Sequence, residues 1–233
     1  MNLIITSVLD LYEQILALAI VDALNLWAHP KYVHFLQEEK PGKLDEEWFK
    51  WFAGEWSVAR TIRTEKRRFI VRYLDYEFRK GIASDRSGAE VDRAAGYLQS
   101  KKWTSQTRKD GSSSLPLSLV SKIGFFFDPD NLIPYDSFAR RGLNKLRGTT
   151  RQGGEGHFKD GMSYCKYLKM FNEKFILART SIAHELDEEW VGALAKKLDC
   201  HPKYLSMIRF QRKVFDNYLV HFGGKEYSWE SSA

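Results

Sequence analysis

The sequence predicts an all-α protein, and three observations support this fold class. Helical periodicity of apolar residues dominates nearly the whole chain, and no convincing pair of alternating strands is found. The breaks between apolar stretches carry helix start and stop signals. The 233 residues are 43% hydrophobic and 14% aromatic, which is enough to bury a core. We therefore expect one all-α domain over residues 1–233, either undivided or in two lobes.

The first helix is predicted in the stretch LIITSVLDLYEQILALAIVDALNLWAHP, and it ends at the His-Pro pair at 29–30. This stretch fits an amphipathic core helix better than a bilayer span, which needs about 20 consecutive apolar residues. No basic segment precedes it, so neither a secretory signal nor a membrane anchor is expected. Polar residues recur in it at helical spacing: Asp10, Glu13, Asp22 and Asn25.

Three further helices are predicted before residue 104. LDEEWFKWF begins with acidic residues, which the helix dipole favours in a first turn. Residues 56–80 form a long basic amphipathic pattern, and a shorter helix follows in GAEVDRAAGYLQSKKW. The buried stripe of the basic helix is expected to contain Val58, Ile62, Phe69, Tyr73 and Phe78.

Two polar stretches, at 104–114 and 147–161, have the composition of mobile loops. Between them the sequence predicts a helix from Leu115 to Phe127 and a turn at 128–131. A second helix is predicted to begin at Asp136-Ser137, because Pro134 disfavours helix for the residue before it. The part of the chain from 162 to 222 is predicted to form four or five short helices.

The charge balance favours an anionic partner. Lys and Arg outnumber Asp and Glu by 36 to 30, which gives a net charge of +6 and a pI near 9.1. The basic residues gather in two blocks, at 60–80 and 140–151, and the chain is rich in rings that can stack on bases. A solvated basic face that serves only solubility is the alternative.

The cysteines and the other potential metal ligands point to no cofactor and no metal. Cys165 and Cys200 are too few for a disulfide framework or an iron–sulfur site of the usual kind, so a cytoplasmic protein is expected. Association with the nucleoid would follow from a DNA partner. The sequence HELDEEW at 184–190 lacks the second histidine of a zinc-protease motif. No phosphate-binding loop or dinucleotide fingerprint is found.

Asp136 has two interpretations from the residues alone. Aspartate is among the best N-cap residues, so the side chain could serve only to begin the helix. Ser137 could take that role instead, which would leave the carboxylate for a substrate. Lys122 is, by itself, more often a solvated amine.

The stretch SKIGFFFDPDNLIPYDS resembles the helix-hairpin-helix superfamily of DNA glycosylases, particularly bacterial proteins related to 8-oxoguanine glycosylases. In that superfamily a hairpin reading LPGVGxK precedes a helix, and a short extended stretch then delivers an aspartate at the head of the next helix. Here Ser118 and Val120 take the places of the hairpin glycines. The segment VFDNYLVHFGG at 214–224 is similar to the closing helix of such proteins.

The resemblance implies a two-lobed helical enzyme, with a cleft lined by residues near 115–147, that flips a damaged or modified base out of double-stranded DNA. Asp136 would be the catalytic carboxylate, and Lys122 a helper or an amine nucleophile with lyase activity. A monomer acting in base-excision repair or in defence against phage with modified DNA is expected. The base pocket would draw on Tyr135, Phe125, Phe138, Trp103 and Tyr164. The DNA-binding residues would be Ser118, Ser121, Arg140, Arg141, Lys145, Arg147 and Arg151.

Two alternatives stay open from the sequence. Residues 191–208 fit the spacing of a helix-turn-helix unit, in a DNA-binding protein without enzymatic activity. Asp199 stands where such a turn usually has glycine. The other alternative is a helical scaffold or protein-interaction module with no nucleic-acid role. The reading helix of the first alternative would present Pro202, Lys203, Tyr204 and Ser206.

Overall fold

The structure is a computed structural model that describes residues 8–36, 42–59, 62–80, 88–104, 115–148 and 163–224. Within these ranges the regular structure is helical, apart from one isolated antiparallel bridge between Ile62 and Thr104. The prediction of an all-α fold is confirmed. The α-helices are α1 (Val8–Ala28), α2 (Val33–Leu36), α3 (Glu46–Glu55), α4 (Arg67–Lys80), α5 (Ala89–Ser100), α6 (Leu117–Phe127), α7 (Ser137–Leu146), α8 (Tyr164–Leu186), α9 (Glu189–Lys197) and α10 (Ile208–Gly224).

The chain divides into two compact units, and each unit is assembled from separate parts of the sequence. The first unit combines Met1–Leu26, Asp136–Phe158 and Lys174–Ala233. The second unit combines Trp27–Tyr135 with Lys159–Glu173.

Helix α1 buries an apolar stripe, as its sequence predicts. Ala19, Ile20, Ala23 and Leu24 have no exposed surface. By length and composition alone the window Leu11–Ala28 could also cross a membrane. Buried core helices pass the same test, and the complete burial of this stripe in protein is typical of them.

The prediction of one helix over residues 56–80 is wrong at its start and for part of its buried stripe, although Val58 and Phe78 are buried as predicted. A 3₁₀ turn at Thr64–Lys66 precedes α4, which begins only at Arg67. The buried stripe of α4 consists of Ile70, Val71, Leu74 and Phe78. As a result Phe69, expected in the core, is 52% exposed, and Tyr73 is half-buried.

The described part of the chain from 163 to 224 holds fewer and longer helices than the sequence predicts. Helix α8 runs for 23 residues and α10 for 17, with the shorter α9 between them. A 3₁₀ turn at Pro202–Tyr204 precedes α10. The Gly192 within α9 does not interrupt the helix, which reflects its modest cost there of about 1 kcal/mol.

In the first unit α7 packs directly on α10 through glycine. A Cβ atom at Gly142 would overlap the backbone of Leu219, and one at Gly223 would overlap the carbonyl oxygen of Phe138. Glycine is therefore needed on both helices to let their backbones approach. The VFDNYLVHFGG segment, which lies in α10, therefore packs against α7, the helix that Asp136 begins.

Helix α10 also buries charge in the first unit. Lys213 and Asp216 are 6% and 1% exposed, and the Lys213 Nζ atom lies 2.6 Å from both Asp216 Oδ2 and Asn217 Oδ1. Asn217 donates from Nδ2 to the carbonyl oxygen of Ala19 in α1, at 3.1 Å. The buried charges are thus paired and hydrogen-bonded, which is the condition for tolerating them in a core.

The second unit is organised around α6 and a cluster of aromatic side chains. All but one of the α6 residues are buried. The Phe126 ring stacks on Tyr32 with centroids 4.7 Å apart, and it meets Phe52 and Trp56 edge to face. Such ring pairs stabilise a core beyond the area they bury.

Candidate functional site

The segment before Asp136 is buried and extended, and side chains satisfy its backbone. Residues 132–135 lie between α6 and α7 and are buried. The Tyr164 hydroxyl donates to the carbonyl oxygen of Ile133 at 2.7 Å and accepts from the Ile133 N–H at 2.9 Å. One buried hydroxyl therefore replaces the partner that a neighbouring strand would supply.

Two further side chains hold the same segment. The Ser121 Oγ atom accepts from the Tyr135 N–H at 2.8 Å, and the Tyr167 hydroxyl donates to the Pro134 carbonyl oxygen at 3.4 Å. Ser121 lies in α6 and Tyr167 in the part of α8 that belongs to the second unit, so side chains of that unit bond to the residues that precede Asp136.

Asp136 is the N-cap residue of α7. Its backbone is extended, with φ −115° and ψ 145°, and its Oδ1 atom accepts from the Phe138 N–H at 2.8 Å. The alternative cap, Ser137, is instead the first residue of the helix and is exposed. Asp136 is half-buried.

Lys122 is a buried lysine that caps another helix. It is 8% exposed, and its Nζ atom donates to the carbonyl oxygen of Trp56 at 3.1 Å. Trp56 is the C-cap residue of α3, so the amine satisfies a carbonyl that the end of a helix leaves unpaired. The same Nζ atom lies 5.7 Å from the centroid of the Trp56 ring. These contacts give Lys122 a structural role in the second unit.

The side chains predicted for a base pocket divide into core and surface groups. Phe125 and Tyr164 have no exposed surface, so a base could stack on them only if the core opened. Tyr135 is 9% exposed and packs edge to face on Tyr167, with centroids 4.9 Å apart. Phe138 is half-buried, and the Arg141 guanidinium lies 4.4 Å from its ring centroid.

Trp103 lies on a different surface from the one predicted for it. It follows α5 and is half-buried. Its ring contacts Phe69 and Tyr97, with centroid distances of 5.7 and 5.8 Å. The structure therefore groups Trp103 with exposed aromatic residues of α4 and α5.

The basic residues predicted to bind DNA lie along α7. Arg141, Lys145 and Arg147 are exposed, and Arg140 is half-buried. Lys145 donates from Nζ to the carbonyl oxygen of Phe222 at 2.9 Å. Arg151 lies outside the described residues.

The two serines of the predicted hairpin differ in exposure. Ser118 is half-buried, whereas Ser121 has no exposed surface and its hydroxyl also donates to the Ser118 carbonyl oxygen at 3.3 Å. Ser121 therefore cannot contact a phosphate in this structure, because both bonds of its hydroxyl hold the backbone.

The helix-turn-helix interpretation of residues 191–208 is wrong about its second helix. Pro202–Tyr204 form only a three-residue 3₁₀ turn, and Tyr204 is buried rather than presented to DNA. Helix α10 follows, and residues Phe210 to Leu219 of it are all buried. Asp199, at φ 57°, is in the left-handed conformation that usually selects glycine.

Neither cysteine is poised for chemistry, and no metal site is found in the described ranges. Burial raises the pKa of the Cys165 thiol to about 11, with a hydrogen bond to Asp92 as the next cause. Burial also raises the pKa of the Cys200 thiol to about 11. Among the residues that the structure describes, no group of three or more His, Cys, Asp or Glu could hold a metal ion.

No protein-family model, no curated protein and no solved structure matches this chain. The resemblance to the glycosylases therefore depends on the residues quoted above. Any function has to be argued from those residues and from the geometry of the site.

Sequence reasoning missed the side chains that hold the site together. Trp56 lies 66 positions from Lys122 in the sequence, and Tyr164 lies 31 positions from Ile133. The role of Tyr167 was missed for the same reason. A tyrosine that supports distant backbone has the same local pattern as one that only fills a core, so no signal in the sequence identified them.

Proposed function

We propose that this protein is a DNA glycosylase that hydrolyses the N-glycosidic bond of a damaged or modified base, with Asp136 as its catalytic carboxylate. The observation that carries the proposal is the way Asp136 is presented. Asp136 is half-buried at the head of α7, where its Oδ1 atom accepts from the Phe138 N–H, and α7 packs so closely on α10 that a Cβ atom at Gly142 would overlap the Leu219 backbone. A catalytic group on a fixed segment keeps the geometry that a reaction needs.

The chemistry requires little beyond this carboxylate and water. The bond between C1′ of the deoxyribose and the base nitrogen breaks, and its electron pair leaves with the base. Positive charge develops on the sugar, and an ionised carboxylate beside C1′ stabilises it. Water then bonds to C1′ and loses a proton, while the departing base gains one, so that the products are a free base and an abasic sugar.

The charge of α7 supports a nucleic-acid substrate. Arg141, Lys145 and Arg147 are exposed on the helix that Asp136 begins or directly after it. Cations along this helix would hold phosphates and fix the register of the strand. The N-terminus of α7 adds N–H groups that favour a negative charge.

The contacts of Lys122 support hydrolysis by water rather than attack by an amine. A nucleophilic lysine must be neutral and able to reach C1′, whereas this Nζ atom donates to the Trp56 carbonyl oxygen. Borohydride should therefore trap no covalent adduct with a cleaved duplex. An adduct that disappears in Lys122→Gln would establish the amine as the nucleophile.

The proposal is tested by incubating the protein with duplexes that carry oxidised, alkylated, deaminated or hypermodified bases. Free base and abasic sites should form from one of these classes, and an unmodified duplex of the same sequence is the control. Folded protein that releases no base from any class would contradict the proposal. The class that reacts would also separate repair from defence against phage with modified DNA.

A further inference from the structure

Helix α4 presents an exposed face of alternating basic and aromatic side chains. Phe69 and Tyr76 are 52% and 62% exposed, although both belong to a helix with a well-filled buried stripe. Arg68, Arg72 and Lys80 are exposed on the same helix. Residues 68, 69, 72, 76 and 80 follow a spacing of three to four, which places them on one side of a helix. A row of exposed aromatic rings and cations is typical of a surface that binds another molecule.

Tyr97, near the end of α5, and Trp103, which follows α5, add two more rings to this face. Lys102, at φ 54°, is in the left-handed conformation, and it turns the chain so that the Trp103 N–H bonds to the Leu98 carbonyl oxygen at 3.1 Å. The Arg63 N–H donates to the Trp103 carbonyl oxygen at 3.3 Å, which ties this turn to the residues before α4. Trp103 is thereby set beside Phe69.

Two rings of this surface form a stacked pair. Tyr73 and Tyr97 stack with centroids 4.3 Å apart and an interplanar angle of 22°. Burial raises the pKa of Tyr73 to about 12. Tyr97 remains 37% exposed, and the Lys101 Nζ atom lies 5.4 Å from its centroid. We call the surface formed by Phe69, Tyr73, Tyr76, Tyr97 and Trp103 the ring face.

The charge around the ring face is positive, because several of its carboxylates are paired with neighbouring arginines. Asp75 is bonded to Arg79 at 3.0 Å, and Glu77 to Arg93 at 2.7 Å. Glu46 lies 3.7 Å from Arg68, but both side chains are more than half exposed, so this pair is weak. Glu65 is a further exposed acid. The cations without a carboxylate partner in the described ranges include Arg63, Arg72, Lys101 and Lys102.

A groove of about 480 Å³ continues the ring face along α4. Its lining includes Lys43, Arg72, Arg79 and Lys80, and its one acid is Asp75. Asp75 is engaged by Arg79 and by the Leu44 N–H, so the groove keeps an excess of positive charge. A phosphodiester backbone is the anionic chain that fits a groove beside exposed rings.

We propose that the ring face binds single-stranded nucleic acid, with bases stacked on Phe69 and Tyr76 and phosphates held by Arg72 and its neighbours. Proteins that bind single strands without sequence preference combine two features: aromatic side chains on which bases stack, and a basic groove that holds the phosphates. The alternative partner, an acidic protein surface, could pair with the cations, but it would not use the faces of the exposed rings. The inference goes beyond the proposed function, because it needs neither Asp136 nor bond cleavage.

The test is fluorescence anisotropy with labelled oligo-dT and oligo-U of about 12 nucleotides, over a series of salt concentrations. Phe69→Ala should weaken binding by about tenfold and leave the salt dependence unchanged, because it removes stacking and no charge. Arg72→Gln should reduce the slope of log K against log salt by about 0.7, as expected for one phosphate contact to a single strand. Equal affinity for the DNA and RNA strands would show that the protein recognises bases and phosphates. A preference for one of them would show that it recognises the sugar as well.

Matched controls lie in the first unit. Leu177→Ala removes an apolar side chain that is 75% exposed, and Lys197→Gln removes an exposed positive charge. Both should bind like the unaltered protein. All four substitutions are at exposed positions, so each variant should unfold at the temperature of the parent.

The inference is overturned if neither oligonucleotide binds, or if Phe69→Ala and Arg72→Gln bind as well as the controls. The test of this inference is independent of the test of the glycosylase proposal. Asp136→Asn should keep its affinity for the single strand, and a protein that binds the strand through the ring face but releases no base would leave the inference standing alone.

Discussion

At the scale of single residues, Tyr164 is the side chain on which the site depends most. Its hydroxyl both donates to and accepts from the backbone of Ile133, three positions before Asp136. No described strand pairs with this segment, so the hydroxyl supplies bonds that the backbone would otherwise lack. A buried N–H or carbonyl without a partner costs about 1–3 kcal/mol.

Tyr164→Phe should therefore lower the free energy of unfolding by about 2 kcal/mol or more, because it leaves both backbone groups of Ile133 unpaired. Urea denaturation measures this effect. Tyr76→Phe, at a position 62% exposed, is the control. A Tyr164→Phe variant as stable as this control would contradict the role given to the hydroxyl.

At the scale of helices, the ends of four elements share one geometry. The chain leaves α3, α5 and α9 through Ser57, Lys102 and Asp199, all at φ between 54° and 57°. It leaves α7 through Gly148, at φ 68°. In each case the N–H of that residue bonds to a carbonyl oxygen of the last turn. The left-handed conformation costs a residue with a Cβ about 1–2 kcal/mol, and glycine avoids this cost.

Asp199→Gly should stabilise the protein, and Gly148→Ala should destabilise it by about 1 kcal/mol. The two changes are a matched pair, because both positions follow the C-cap of a helix and a Cβ at Gly148 would touch nothing. The shift should be about 2–4 °C in Tm for each, in opposite directions. Shifts of the same sign in both variants would show that contacts, rather than backbone conformation, decide these positions.

The elements that the sequence predicts well are those with strong local signals. Helix α6 begins two residues after its predicted start and ends at its predicted end, and α7 begins where it was predicted to begin, since Pro116, the turn at 128–131 and Asp136 mark these positions locally. The start of helix α4 was placed too early, because residues before Arg67 share its basic and apolar composition without belonging to the α-helix. Phe69 was therefore predicted in the core, and the ring face was not foreseen.

At the scale of the whole molecule, both units depend on contacts between distant parts of the chain. The bond from Asn217 to Ala19 spans 198 positions, and the one from Lys122 to Trp56 spans 66. Periodicity reports which face of a helix is buried but not which helix covers it. For this reason the partners of Lys122 and Asn217 could not be predicted from the sequence.

The folded protein should lose stability at high pH. Burial raises the pKa of Cys200 to about 11 and that of Tyr218 to about 12, from ordinary values of 9.0 and 10.0. Between about pH 9 and pH 12 the unfolded chain therefore binds fewer protons than the folded protein, so the free energy of unfolding falls as pH rises. Below about pH 9 this contribution is fully present.

Urea denaturation at several pH values above 8 measures this loss. The midpoint should fall as pH rises through the window, and Cys200→Ala should fall less over its lower part, because it lacks the buried thiol. A midpoint that stays level or rises between about pH 9 and pH 11 would contradict the assigned burial.

The central claim is that Asp136 acts through its charge and not only through its cap, and Asp136→Asn separates the two. Asparagine caps a helix about as well as aspartate, so this variant should unfold like the parent. Asp45→Asn is the control, since Asp45 caps α3 by accepting from the Trp48 N–H at the same distance of 2.8 Å. The deciding measurement is the single-turnover rate of base release: we expect a loss of about a hundredfold or more for Asp136→Asn and none for Asp45→Asn. An Asp136→Asn protein that releases base at the parent rate would contradict the account.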